Sequence, residues 1–227
     1  MISIYLIFGV FMLISWLISS RLKSKFEEYS QIPLRSGLSG KEIAEKMLHD
    51  NNIFDVNVIS VEGQLTDHYN PVDKTVNLSP DVFTGRSVTS AAIAAHECGH
   101  AVQHAQAYAF LQMRSSLVPI VSISSQYMQW ILLAGVLTLQ WFPQLLLVGI
   151  AMFALTTVFS IITLPVEFDA SARALVWLNG SGITSGIEHD KAANGLKWAA
   201  ATYVVAALGS LATLAYYIMI YAGGRRS

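Results

Sequence analysis

Four long apolar stretches constrain this chain more than any other feature of its sequence. They cover roughly residues 2–20, 117–139, 144–165 and 198–222, and each is long enough to cross a bilayer as a helix. Hydrophobic residues make up 53% of the 227 residues and charged residues only 13%, about half the charged share of a soluble domain. The sequence therefore predicts a mainly α-helical membrane protein with four transmembrane helices.

The basic residues predict the orientation of these helices. Arg21, Lys23 and Lys25 directly follow the first apolar stretch, and positive charge stays on the cytoplasmic side of a membrane. With the N-terminus outside, twelve of the 14 Lys and Arg residues are cytoplasmic, and only Arg225 and Arg226 are outside. The first stretch lacks the basic start and small-residue cleavage site of a signal peptide, so it is expected to remain as an anchor.

This topology divides the chain into membrane-spanning and cytoplasmic segments. The expected spans are an anchor helix at 1–20, a transmembrane helical hairpin at 117–165 and a last transmembrane helix at 198–222. The other expected segments are a small α+β cytoplasmic domain at 21–116, a second cytoplasmic segment at 166–197 and a tail at 223–227.

The hydrophobic period changes along the polar segment 21–116. Ser39 and Glu42 form a capping-box pattern ahead of an apolar stripe with helical spacing. Residues 54–61 are rich in β-branched side chains, and the turn sequence Asn70-Pro71-Val72-Asp73 lies between the segments 65–69 and 75–78. These patterns predict a helix, a strand and a β-hairpin.

Patterns typical of helix N-termini occur at three further places: Ser79 before Pro80, Ser87 or Thr89, and Ser185 with Glu188 as a second capping box. The second of these is expected to open a long helix that ends near residue 112.

That long helix carries the motif His96-Glu97-Cys98-Gly99-His100. Positions four apart lie on one helix face, so His96 and His100 can bind one metal ion. Two imidazoles suit zinc, whose remaining positions go to a third protein ligand and a water molecule. Glu97 is then placed to accept a proton from that water. Cys98 points about 200° round the helix from His96, which favours packing over metal binding. The alternative is an ordinary helix with two histidines.

Two carboxylates directly after the third apolar stretch are candidates for the third zinc ligand. Glu167 and Asp169 lie at the end of a hydrophobic span, where acidic residues are costly unless they are paired or bound to something. The hairpin at 117–165 returns them to the level of the motif helix. We expect Glu167 to be the ligand and Asp169 to orient a histidine, with Asp169 as the alternative ligand. Capping of a helix N-terminus by both residues is the remaining alternative.

Three separated motifs resemble those of the YugP-type membrane zinc metallopeptidases of bacteria. They are His96-Glu97-Cys98-Gly99-His100-Ala101-Val102-Gln103, Leu65-Thr66-Asp67-His68-Tyr69-Asn70-Pro71 and Leu164-Pro165-Val166-Glu167-Phe168-Asp169-Ala170-Ser171. The likeness extends over nearly the whole chain and implies a peptidase of the bacterial inner membrane with one zinc ion per chain. The layout also resembles, more distantly, the gluzincins of the Ste24 and HtpX type, which have an Asp four residues after the ligand Glu. Ser171 occupies that position here.

Water attack on a peptide forms an oxyanion, which a further donor must stabilise. The candidates are His68, Tyr69, His104 and Arg173. His68 and Tyr69 are favoured as catalytic residues because they lie in a shared motif, although a structural role beside the turn is the alternative. His104 lies one turn beyond His100 and can instead be a surface residue. Arg173 can pair with Glu167 or Asp169, or contact a lipid phosphate.

Together these features favour a membrane zinc metalloendopeptidase that acts at the cytoplasmic membrane face, with Glu97 as general base. Its substrate is expected to be a protein or peptide, associated with the membrane, which the edge of the hairpin can hold in an extended form. The alternative is a non-catalytic membrane scaffold with a structural zinc site. A metal-ion transporter is disfavoured because the spans contain neither a carboxylate nor a histidine. A net charge of −1 without basic tracts argues against nucleic-acid binding.

Overall fold

The computed structural model describes residues 4–224, which form seven α-helices and three short β-strands. The helices are α1 (Ile4–Ser30), α2 (Gly40–Asp50), α3 (Pro80–Thr84), α4 (Val88–Ala105), α5 (Ala109–Leu137), α6 (Pro143–Gly180) and α7 (Ile187–Gly224). The strands are β1 (Asn57–Ser60), β2 (His68–Asn70) and β3 (Thr75–Leu78). Helices α1, α5, α6 and α7 are long and apolar enough to cross a membrane, which confirms the predicted fold class. Arg225 and Arg226, used in the orientation argument, lie outside the described residues.

The chain forms two compact units. The first comprises Gln112–Leu164 together with α1 up to Leu17 and α7 from Thr202. Its core includes Leu132 and Leu146, and glycines allow close helix packing there: a Cβ on Gly135 would lie 2.5 Å from the Leu146 Cα. We call this part the helical unit.

The second unit comprises Ile18–Leu111 and Pro165–Ala201, and we call it the polar unit. Its three-stranded sheet has the order β1-β3-β2, with β1 parallel and β2 antiparallel to the central β3. Val76 and Leu78 of β3 are fully buried, in a core that also contains Cys98 of α4. The predicted hairpin is therefore β2–β3, and the predicted strand at 54–61 pairs with the far side of β3.

Caps explain where two of the predicted helices begin. The capping box at Ser39 and Glu42 is present, since Glu42 Oε2 accepts from the Ser39 backbone N–H at 2.7 Å and Glu42 N–H donates to Ser39 Oγ at 3.3 Å. Ser87 caps α4 by accepting from Ser90 N–H. The second predicted capping box is wrong: α7 begins only at Ile187, and the Glu188 carboxylate instead accepts from the Arg35 N–H.

Helix α4 ends at Ala105, seven residues before the predicted end. Ala107 adopts a left-handed conformation with φ of 52°, which a continuing helix does not allow. The backbone N–H groups of Ala107 and Tyr108 donate to the carbonyls of His104 and Gln103, so the last turn is closed by hydrogen bonds. A new helix, α5, then begins at Ala109.

Helix α6 does not end with the predicted span at residue 165 but continues to Gly180. Val166, Ala170, Ala174 and Leu178 lie four residues apart and are all fully buried. This spacing gives the polar-looking segment one apolar helical face, which packs in the polar unit. The continuation sets the orientation of Glu167, because that residue lies on a regular helix rather than in a loop.

Candidate metal centre

Helices α4 and α6 bring the three predicted zinc ligands together. His96 and His100 lie one turn apart on α4, and Glu167 lies near the start of the polar part of α6. Glu167 Oε2 is 3.3 Å from His96 Nε2 and 3.7 Å from His100 Nε2. Glu167 is 3% exposed and His100 is also buried. The ligand atoms of the three residues lie within 4.8 Å of one another.

This geometry fits a zinc ion. Ligands about 2.0–2.1 Å from a tetrahedral zinc lie roughly 3.3–3.4 Å from one another, close to the two Nε2–Oε2 separations. Two imidazole nitrogens and one carboxylate oxygen are also a donor set that zinc enzymes use. Asp169 and His104, the other ligand candidates, do not belong to this group of converging side chains among residues 4–224.

The site carries negative charge that favours a cation. Burial lowers the pKa of the His100 imidazole, but the hydrogen bond with Glu167 and the charges of Glu97 and Glu167 raise the pKa above its usual value overall. An imidazole that gains a proton more readily than usual lies in a negative potential. A divalent metal ion would be stabilised by the same potential.

Glu97 is held next to these ligands by the edge of the sheet. The residue is 9% exposed, and its Oε2 accepts from the backbone N–H of Tyr69 at 3.0 Å. Tyr69 lies in the middle of β2, which is an edge strand. The sequence pointed to the Tyr69 side chain, whereas the contact with Glu97 comes from its backbone.

The oxyanion candidates do not all lie together. The Tyr69 hydroxyl and His104 Nδ1 form a hydrogen bond of 2.8 Å. His68 is exposed, and its Nδ1 donates to the Thr66 carbonyl at 2.7 Å, within its own hairpin. Tyr69 and His104 thus form a pair that the sequence did not predict, while the His68 ring is tied to the turn.

The family follows from comparison with known proteins. Residues 4–222 match the sequence model of a family described as "Putative neutral zinc metallopeptidase". The chain belongs to this family. It is also 40% identical over 205 residues to "Putative membrane protease YugP" of Bacillus subtilis (strain 168), an alignment that covers 90% of each chain. The resemblance inferred from the three motifs is confirmed. No solved structure is significantly similar to the chain.

Two residues to which the sequence assigned no role, Gln103 and Ser171, contact the Nδ1 atoms of the histidines. Ser171 Oγ lies 3.1 Å from His96 Nδ1, and Gln103 Oε1 lies 3.0 Å from His100 Nδ1. Hydrogen bonds to Nδ1 orient an imidazole so that Nε2 faces the metal. The available signal was helical spacing, since Gln103 is three residues after His100 and Ser171 is four after Glu167.

Asp169 contributes through other side chains. Its Oδ2 accepts from Gln103 Nε2 at 2.8 Å and from Arg173 Nε at 2.5 Å. The predicted pairing of Arg173 with a carboxylate is therefore present at Asp169. Arg173 also donates to Gln106 at 2.6 Å and stacks over the Tyr108 ring. Asp169 links Arg173 to Gln103, and Gln103 links both to His100.

Proposed function

We propose that the chain is a membrane zinc metalloendopeptidase in which His96, His100 and Glu167 bind one zinc ion and Glu97 is the general base. The observation that carries this proposal is the convergence of two Nε2 atoms and one carboxylate oxygen, in a group of which His100 and Glu167 are buried. Membership of a zinc metallopeptidase family supports the choice of metal and of reaction.

Glu97 accepts a proton from the attacking water and returns it to the leaving amine. When bound, a zinc ion would act as a Lewis acid and lower the pKa of water in the site. The Tyr69 N–H fixes the Glu97 carboxylate through Oε2, so the base does not have to be ordered at the moment of reaction. Gln103 and Ser171 hold the two imidazoles through Nδ1.

The edge of β2 is suited to hold an extended peptide beside Glu97. In an antiparallel pair, alternate residues direct their backbone groups away from the partner strand. Tyr69 is such a residue, because its N–H donates to Glu97. The Tyr69 carbonyl, on the same side of the strand, is the group that a substrate strand would pair with. A substrate strand that pairs with this edge would lie beside the Glu97 carboxylate. This arrangement favours unfolded or extended substrates.

The proposed location is the cytoplasmic face of the cell membrane, with the helical hairpin and the flanking helices as spans. The distribution of Lys and Arg supports this orientation. Glu167 follows the apolar stretch of α6 by only a few residues, so membrane-associated proteins or peptides are the proposed substrates.

The test combines zinc content with proteolysis. Purified, detergent-solubilised wild-type protein is expected to contain one zinc per chain and to cleave an unfolded protein such as casein. Glu97→Gln is expected to keep the zinc and to lose about 10²–10⁴-fold in cleavage rate, because it removes only the base. Glu167→Ala is expected to lose or weaken zinc binding. Cleavage that survives Glu97→Gln would exclude Glu97 as the base.

The same experiment addresses a non-catalytic scaffold with structural zinc. A structural zinc site uses four protein ligands, whereas the converging group among residues 4–224 offers three. Stoichiometric zinc without any cleavage by the wild-type protein, across several unfolded substrates, would favour the scaffold.

A further inference from the structure

Helix α6 holds the Gln103 side chain in one orientation. It is fully buried, and its Nε2 donates to the Val166 carbonyl at 2.7 Å and to Asp169 Oδ2 at 2.8 Å. A carbonyl and a carboxylate only accept hydrogen bonds, so the amide nitrogen must face α6. The amide oxygen must then face the other way, where it lies 3.0 Å from His100 Nδ1.

This orientation determines which nitrogen of His100 carries hydrogen. An amide oxygen only accepts, so His100 Nδ1 must be the donor. A neutral imidazole with hydrogen on Nδ1 has its lone pair on Nε2. That Nε2 is the atom that lies 3.7 Å from Glu167 Oε2.

We propose that Gln103 is a positioning residue that fixes the tautomer and ring orientation of His100 for zinc binding, and that Asp169 holds Gln103 in place. The inference rests on the proposed zinc peptidase function. His96 differs, because its Nδ1 contacts the Ser171 hydroxyl, which can donate or accept. Ser171 therefore does not dictate a tautomer, and its removal is expected to matter less than that of Gln103.

The experiment measures zinc affinity by competition with a chromophoric chelator, using the full chain in detergent. Gln103→Met keeps the approximate size of the side chain but removes the amide oxygen and the amide nitrogen. Thr184→Val is the matched control, because it removes a buried hydroxyl from the Nδ1 of another histidine of the polar unit, His189. The absorption spectrum of the cobalt(II)-loaded protein reports ligand geometry directly, and far-UV circular dichroism of the metal-free variants reports folding.

Gln103→Met is expected to weaken zinc binding about 10- to 100-fold and to change the cobalt spectrum, while Thr184→Val leaves both unchanged. Zinc affinity within about twofold of wild type in a folded Gln103→Met protein would overturn the inference alone. Absence of zinc from the wild-type protein would overturn the proposed function and the inference with it.

If Gln103→Met does not fold, Asp169→Ala takes its place. The Val166 carbonyl then still holds the amide, so the expected loss of zinc affinity is smaller than that in Gln103→Met. An unchanged affinity in Asp169→Ala would overturn the inference.

Discussion

Gly99 of α4 lies directly against the backbone of Ala170 in α6, so closely that a Cβ atom on residue 99 would be 2.6 Å from the Ala170 carbonyl oxygen. Gly99 immediately precedes His100, and Ala170 lies between Asp169 and Ser171. This backbone contact therefore sets the distance between the helix that carries the histidines and the helix that carries Glu167. Only glycine allows the two helices to approach to this distance.

Gly99→Ala is expected to move α4 and α6 apart and to weaken zinc binding. Alanine improves helix propensity by roughly 0.5–1 kcal/mol, but the clash with backbone atoms costs about 1–3 kcal/mol, so a net loss of stability is expected. Thermal unfolding and zinc affinity measure the two effects. Gly180→Ala is the control, since a Cβ there meets nothing within 4 Å. Wild-type zinc affinity in Gly99→Ala would show that the helix separation is not critical for the site.

The contacts that hold the histidines were only partly predictable from local patterns. The spacing of His96 and His100 on one helix face, and the position of Glu167 after an apolar stretch, are visible in the sequence. Gln103 contacts His100 within α4, at a spacing that is visible in the sequence. The contacts of Gln103 with Asp169 and of Ser171 with His96 join residues more than 60 apart, and they are fixed only when α4 and α6 pack. A pattern read along one element does not contain such a contact.

The fold, too, was predictable only in part from the sequence. Hydropathy predicted the four membrane helices because length and composition alone decide them. The end of α4 was misplaced because it depends on the left-handed conformation of Ala107, a residue type that gives no such signal. Glu188 was read as a cap, but it accepts from Arg35, more than 150 residues away in sequence.

Tyr69→Phe tests whether the Tyr69 hydroxyl stabilises the oxyanion. Burial raises the pKa of this phenol, so the hydroxyl keeps its hydrogen at neutral pH. That hydrogen is available to the oxyanion when His104 Nδ1 is the donor in the Tyr69–His104 hydrogen bond. Loss of one such donor is expected to lower kcat by about 10²–10³-fold, with zinc content unchanged and the backbone contact to Glu97 preserved. His68→Ala is the comparison, since the His68 ring forms a hydrogen bond with the Thr66 carbonyl. A larger loss in His68→Ala than in Tyr69→Phe would reverse the assignment.

Asp67 is expected to make stability depend on pH. Burial raises the pKa of this carboxyl, against the hydrogen bonds that it accepts from Ser79. A carboxyl whose pKa is raised on folding contributes stability below its unfolded pKa of about 3.9, and this contribution is lost as pH rises through the folded pKa. The melting temperature of Asp67→Asn relative to wild type should therefore increase as pH rises above about 4. Asp73→Asn, at the exposed turn, is the control, and a parallel trend in both variants would refute the assignment to Asp67.

Cysteine labelling in intact cells tests the proposed topology. The only native cysteine, Cys98, is fully buried, and burial raises the pKa of its thiol, so the wild-type chain provides an unreactive background. Val72 lies in the β2–β3 turn and is 88% exposed, and Trp141 lies between α5 and α6 and is 85% exposed. The variants Val72→Cys and Trp141→Cys therefore place a reactive thiol at each position. A membrane-impermeant maleimide is expected to label Trp141→Cys from outside, and Val72→Cys only after the membrane is opened. Labelling of Val72→Cys in intact cells would place the polar unit outside, because the turn belongs to the strand whose backbone contacts Glu97. The substrates would then have to be sought among extracellular rather than cytoplasmic proteins.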